Sequence, residues 1–221
     1  MMRGYLIRIP AFLRLFSSHL TWTTGQNNSV AITIDDGPNP SSTPLLLRSL
    51  DDTGLKATFF CLGTQAAKYS GLLDEIRAAG HVIGSHGYDH LDGWKTDTST
   101  YIENAQRAAD LIGTNLYRPP YGRITPGQLN RIKSLYTIVM WTVMPGDFEP
   151  KLSTTEVNKR ISDHLQDQDI MVLHDQMASK RHFPSVINTI IEVIEKHQLR
   201  AVTLHEVEPQ KPLVDEQARL I

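Results

Sequence analysis

The chain has 221 residues, 40% of them hydrophobic, which is enough to bury the core of one medium-sized domain and suits a single β/α barrel. Its 24 acidic and 22 basic residues are scattered singly, leaving no overall field to concentrate nucleic acid or an anionic membrane and favouring a small neutral substrate. A lone cysteine, Cys61, excludes an intrachain disulfide, and its setting among Ala57, Thr58, Phe59, Phe60 and Leu62 reads as a small buried apolar residue, not a nucleophile.

The first segment, residues 1–22, is basic and moderately apolar, but Arg8 and Arg14 interrupt the run of Ile7, Ile9, Phe12, Leu13, Leu15 and Phe16. No uninterrupted apolar stretch leads to a small-residue cleavage site, and the run is too short and charged to span a bilayer. Residues 1–29 read as an N-terminal extension packed as a helix on the domain, with a peripheral membrane anchor as the alternative and a cytoplasmic location by default.

Strand-like and helix-like segments then alternate. Residues 30–34 are short, apolar and β-branched, and residues 43–50 carry leucines at helical spacing after a Ser/Thr-Pro start. Residues 57–61 form the next strand, followed by a helical pattern through Leu72, Leu73, Ile76 and Ala79 that stops at Gly80. The same alternation pairs 81–84 with 99–112, 116–118 with 126–133, 137–143 with 154–166, and 170–173 with 184–197. A seventh strand, 201–204, precedes a polar tail over 208–221, so that 30–207 is the expected catalytic domain. Regular βα alternation implies parallel strands with helical crossovers, in an open sheet or a closed barrel. Polar residues at the carboxyl ends of many strands favour the barrel, which brings Asp35, Asp36, His86, His90, Arg118, Asp147 and His174 to one rim.

The chemistry follows from the residue types. Asp36, His86 and His90 supply one carboxylate and two imidazoles, the histidines sharing a face if their segment makes a helical turn. Three ligands leave a position open for water, whose pKa on Zn2+ falls from ~15.7 towards ~7; Co2+ or Ni2+ are alternatives. Asp35 diverges from its neighbour at the strand end and can take the proton of that water, while His174 can protonate a departing nitrogen. Alone, each signal has a plainer reading: Asp35 to Pro40 as a strand and turn, the histidine pair as a helix surface, Arg118 to Gly122 as a rigid loop, Asp147 as a helix-entry residue. Their common rim favours the site.

At these residues the sequence resembles the polysaccharide deacetylase family, which shares the NodB homology domain. Five segments match in order: Thr33-Ile34-Asp35-Asp36-Gly37, His86-Gly87-Tyr88-Asp89-His90, Arg118-Pro119-Pro120-Tyr121, Asp147-Phe148 and Val172-Leu173-His174. The resemblance implies a distorted (β/α)7 barrel that removes N-acetyl groups from amino sugars or N-acetylated polysaccharide. It implies Asp35 as base, His174 as acid, and Asp36, His86 and His90 as metal ligands. It also implies that Arg118 orients the base, that the Tyr121 backbone N–H holds the oxyanion beside Pro120, and that Asp147 supports His174. Phe148 would wall the groove and Val172 line the acetyl-methyl pocket.

Three positions depart from the family pattern. Gly87 stands where a serine or threonine hydroxyl steadies the loop, and Met144 stands where an acidic residue partners the arginine, with Phe148 replacing a tryptophan. Trp94 can stack on a sugar face or pack its loop, and His205 can approach the rim. Two rival readings accompany the resemblance: a hydrolase of another amide or imide, such as a formamide or cyclic ureide, and a catalytically impaired carbohydrate-binding member. Oligomeric state is not encoded in any of these patterns.

Overall fold

The computed structural model describes residues 5–14 and 19–204. His205, the end of the expected domain and the tail over 208–221 lie outside the described residues. In chain order the strands are β1 (Leu20–Thr21), β2 (Ser29–Asp35), β3 (Thr58–Cys61), β4 (Val82–Ser85), β5 (Leu116–Tyr117), β6 (Thr137–Val139), β7 (Ile170–His174) and β8 (Arg200–Val202). The helices are α1 (Ala11–Arg14), α2 (Thr43–Asp51), α3 (Gly63–Lys68), α4 (Ser70–Ala78), α5 (Thr98–Ile112), α6 (Pro126–Ile132), α7 (Thr154–His164) and α8 (Phe183–Lys196).

All named strands pair in parallel, in the order β1-β6-β5-β4-β3-β2-β7, with β8 also against β2. The chain beyond β6 closes the ring: Val143 bridges Met171, and the Val172 N–H donates to the Val143 carbonyl at 2.9 Å. The result is a distorted (β/α)7 barrel with helices outside.

Alternation along β2 shows how sequence is converted to position. Val30, Ile32 and Ile34 join the outer core with Leu46 and Leu50 of α2, Ile161 of α7 and Ile187 and Ile190 of α8. Ala31, on the opposite face, packs with Phe60, Leu116, Val139, Ile170 and Val202, drawn from five other strands, inside the barrel. Thr33 and Asp35 continue that inner face toward the carboxyl rim. All seven residues of β2 are buried, as expected for a strand covered on both sides.

The expected stop at Gly80 has a left-handed φ of 77°, and other helix ends carry caps that the sequence reading did not single out. Thr125 with Gln128, and Ser153 with Glu156, form reciprocal capping boxes on α6 and α7, and Asp97 caps α5, which ends at a left-handed Gly113. One expectation needs correction. The stretch read as an N-terminal helix is helical among the described residues only over Ala11–Arg14; before it, the Ile9 N–H donates to the Thr142 carbonyl and the Met144 N–H to the Ile7 carbonyl. β-branched Ile7 and Ile9 favour this extended pairing, and Pro10 has no N–H with which to continue it. β1 was not expected, nor was α3, six residues long and without a side-chain cap. Among the described residues, no helix is long and apolar enough to cross a membrane.

Candidate active site

Asp35 ends β2 with its side chain on the inner face, and Asp36 follows with a left-handed φ of 77° that turns it from its neighbour's direction. Arg118, just past β5 and fully buried, donates from Nη1 to Asp35 Oδ1 at 2.7 Å and to Thr33 Oγ1 at 2.7 Å. Its Nη2 donates to the Met140 carbonyl at 3.0 Å and its Nε to the Val139 carbonyl at 3.3 Å, while the guanidinium lies 4.1 Å over the Phe60 ring. These bonds engage four of the five guanidinium N–H groups, with Asp35 as the one carboxylate among the partners. Desolvation by burial pulls the Arg118 pKa below its ordinary value, against the pull of Asp35.

His86 and His90 reach Asp36 through a loop, not the helical turn that their spacing allowed. Gly87 at φ 76° and His90 at φ 56° bend it. The His86 Nδ1 meets the Arg118 carbonyl at 2.9 Å, which turns Nε2 inward, 3.8 Å from Asp36 Oδ1 and 3.7 Å from Asp35 Oδ2. The His90 Nε2 lies 3.3 Å from the same Asp36 oxygen.

One ligand atom from each of Asp36, His86 and His90 falls within 4.8 Å of the others. The donor set fits a divalent cation: burial, then repulsion from His86, lowers the His90 pKa to about 4, so its ring is neutral with a lone pair available. Burial alone would raise the Asp36 carboxyl, but His174, His86, His90 and the Gln176 amide outweigh it and hold it below the ordinary carboxylate value.

His174 ends β7 as the register partner of Asp35. Its Nδ1 meets Asp147 Oδ1 at 3.1 Å and its backbone N–H donates to Asp147 Oδ2 at 2.8 Å, so one buried carboxylate fixes both ring and main chain. Burial would lower the His174 pKa, but the charge and hydrogen bond of Asp147, with Asp36 and Asp35 beyond, raise it to about 9. The Phe148 ring stands edge-on to the imidazole at 4.6 Å and is backed by Tyr5 at 5.4 Å.

The remaining expected residues lie at different distances from this centre. Tyr121, with φ 59°, places its ring 4.5 Å from that of His90 and is 53% exposed. Pro120 and Val172 are buried. Trp94 is 66% exposed, with the Arg123 guanidinium 4.9 Å from its ring; Arg123 also approaches the Tyr121 ring at 5.6 Å and pairs with Asp92 at 2.5 Å. Two residues escaped the sequence reading. Gln176 donates to Asp36 Oδ2, and buried Asp175 accepts from Ser42 and Thr43, tying the end of β7 to the start of α2. Their one sequence signal is that they directly follow His174.

Residues 23–137, just over half the chain, match the family model described as polysaccharide deacetylase. A peptidoglycan-N-acetylglucosamine deacetylase of Bacillus cereus is 29% identical over 182 residues, which cover 79% of this chain and 66% of that protein, just under two thirds of its length. A chitooligosaccharide deacetylase of Azorhizobium caulinodans is 32% identical over 160 residues, covering 69% of this chain and 76% of the relative. Among solved structures, a peptidoglycan N-acetylglucosamine deacetylase superposes with a TM-score of 0.80 at 26% identity, covering 87% of this chain and 94% of that one.

Proposed function

The chain belongs to the polysaccharide deacetylase family, and we propose that it hydrolyses the N-acetyl group of amino sugars within a polysaccharide or oligosaccharide. The observation that carries this reading is the convergence of Asp35 and His174, register partners on adjacent strands, beside the cluster of Asp36, His86 and His90. Relatives that share the family's sequence pattern are deacetylases of peptidoglycan and of chitooligosaccharides.

A divalent cation held by Asp36, His86 and His90, Zn2+ by the donor set with Co2+ or Ni2+ as alternatives, would supply Lewis-acid activation of water and of the acetamide carbonyl. Asp35 Oδ1 is engaged by Arg118, so Oδ2 takes the proton of the attacking water. Arg118 holds the Asp35 carboxylate in place. The water oxygen bonds to the acyl carbon, the C–N bond breaks, and His174 gives its proton to the departing nitrogen, releasing acetate and an amine. Asp147 keeps that proton on the ring until then. The Tyr121 backbone N–H supports the oxyanion, with Pro120 setting its turn. Val172 lines the acetyl-methyl pocket and Phe148 walls the groove. Tyr121 and Trp94, linked through Arg123, offer ring faces to further sugars of a chain.

Acetate release from N-acetylated chitooligosaccharides and peptidoglycan, beside N-formyl and cyclic ureide compounds, tests the reading. Asp35→Asn should keep its metal content and lose ~10²–10⁴-fold in turnover, whereas His86→Ala should lose metal. Metal-loaded protein that released no acetate from any N-acetylated carbohydrate would overturn it.

A further inference from the structure

The loop between His86 and His90 has no side chain of its own at Gly87, yet it must hold two imidazoles on one carboxylate. Its support comes from α5. Asn104, in the second turn of that helix, accepts the Tyr88 N–H at 2.8 Å and the Asp89 N–H at 3.3 Å on Oδ1, and donates from Nδ2 to the Asp89 carboxylate at 2.8 Å. A Cβ placed on Gly87 would come within 3.1 Å of the same Asn104 oxygen, a tight contact that the bare glycine avoids. One turn further along α5, the Arg107 guanidinium lies 3.5 Å over the Tyr88 ring. From the other side, the Gly63 and Thr64 N–H groups at the start of α3 donate to the Gly87 and Tyr88 carbonyls at 2.9 and 3.1 Å. The loop's main chain is thus clamped between two helices; the Ser85 hydroxyl accepts the Gly87 N–H at 3.3 Å, and Asn104 holds the next two N–H groups.

We propose that Asn104 is the positioning residue that fixes His90 relative to His86 and thereby sets the cation affinity of the three-ligand cluster. This rests on the reading of Asp36, His86 and His90 as a cation site. Asn104 is not one of the three ligand residues. It replaces with one amide the hydrogen bonds that a loop of this shape, bent by positive φ at Gly87 and His90, cannot make within itself. Without it, the two freed N–H groups gain water and the loop gains conformations in which His90 Nε2 leaves Asp36.

Zn2+ titration of the full chain, with Co2+ absorption spectra as a second readout, tests the proposal without any substrate. Asn104→Ala should raise the Zn2+ Kd by ~10–100-fold, while the melting temperature of the chelated protein changes little. The exchange variant N104D/D89N keeps both main-chain N–H groups donating to residue 104 and reverses only the side-chain bond between positions 104 and 89, and should recover affinity that Asn104→Asp alone, facing Asp89, loses. If Asn104→Ala fails to fold, the comparison of the exchange with Asn104→Asp still decides. A Kd for Asn104→Ala within about twofold of wild type, or an exchange no better than the single substitution, would overturn the proposal. A wild-type chain that binds no Zn2+ or Co2+ would instead overturn the cation site itself.

Discussion

Arg118 has one carboxylate partner, one hydroxyl and two main-chain carbonyls, all within a buried pocket. Removing the guanidinium strands the Asp35 carboxylate in low dielectric, so Arg118→Met should destabilise the fold by roughly 3–5 kcal/mol, measured by urea unfolding. Loss below about 1 kcal/mol would mean that water reaches Asp35. The His174 pair gives a pH prediction. Its folded pKa, about 9, lies above the ordinary 6.5, so the pair's stabilisation is fully present below pH 6.5 and lost as pH rises through 9. Asp147→Asn removes the main upward pull, and the alkaline limb of kcat/KM should move to lower pH; a cation near Asp36 opposes part of the rise in both proteins, so the difference between them is the quantity to read. An unmoved limb would assign that ionisation to another group. Asp35, Asp36, His86, His90 and His174 were legible because each sits in a short local pattern at a strand end. Gln176 and Asn104 were not, because their contacts with Asp36 and Asp89 join residues 140 and 15 positions apart and carry no spacing rule.

At the scale of elements, the stretch before α1 is a strap. Arg8 pairs with buried Asp169 at 2.6 Å and donates to the His164 carbonyl at 2.7 Å, while the Tyr5 hydroxyl accepts from Arg160 at 2.8 Å and the Tyr5 ring backs Phe148. The strap therefore presses on the loop that carries Asp147. Arg8→Ala should leave the Asp169 carboxylate with less compensation and cost ~1–3 kcal/mol in a denaturant melt; Tyr5→Ala should cost less stability but loosen Phe148 and raise KM. Equal effects of both on stability alone would leave the strap no influence on the groove. The helices α5 to α8 were legible within a residue or two from their apolar spacing, because that pattern is local. The strap was not: its charges resemble a solvated helix face, and only the fold reveals Asp169 as the partner of Arg8. α3 escaped for the opposite reason, having neither a side-chain cap nor an apolar stripe long enough to read.

For the whole molecule, the question is whether the strand ends hold the cation or the cation holds the strand ends. The outer core lies between the barrel and α2, α4, α7 and α8, and a second cluster fills the interior; neither includes Asp36, His86 or His90. Small domains that unfold without zinc have no such independent core. This barrel should therefore keep its fold when the cation is removed, and lose only the binding linkage. At free Zn2+ of ~100 times Kd that linkage is about 2.7 kcal/mol, which for a chain of this length corresponds to a fall in Tm of roughly 5–10 °C on chelation. Far-UV circular dichroism should not change below the transition. Collapse of that signal on chelation would mean that the cluster, and not the two apolar layers, joins β2 to β4. A Tm indifferent to Zn2+ would mean that the three side chains hold no cation under those conditions.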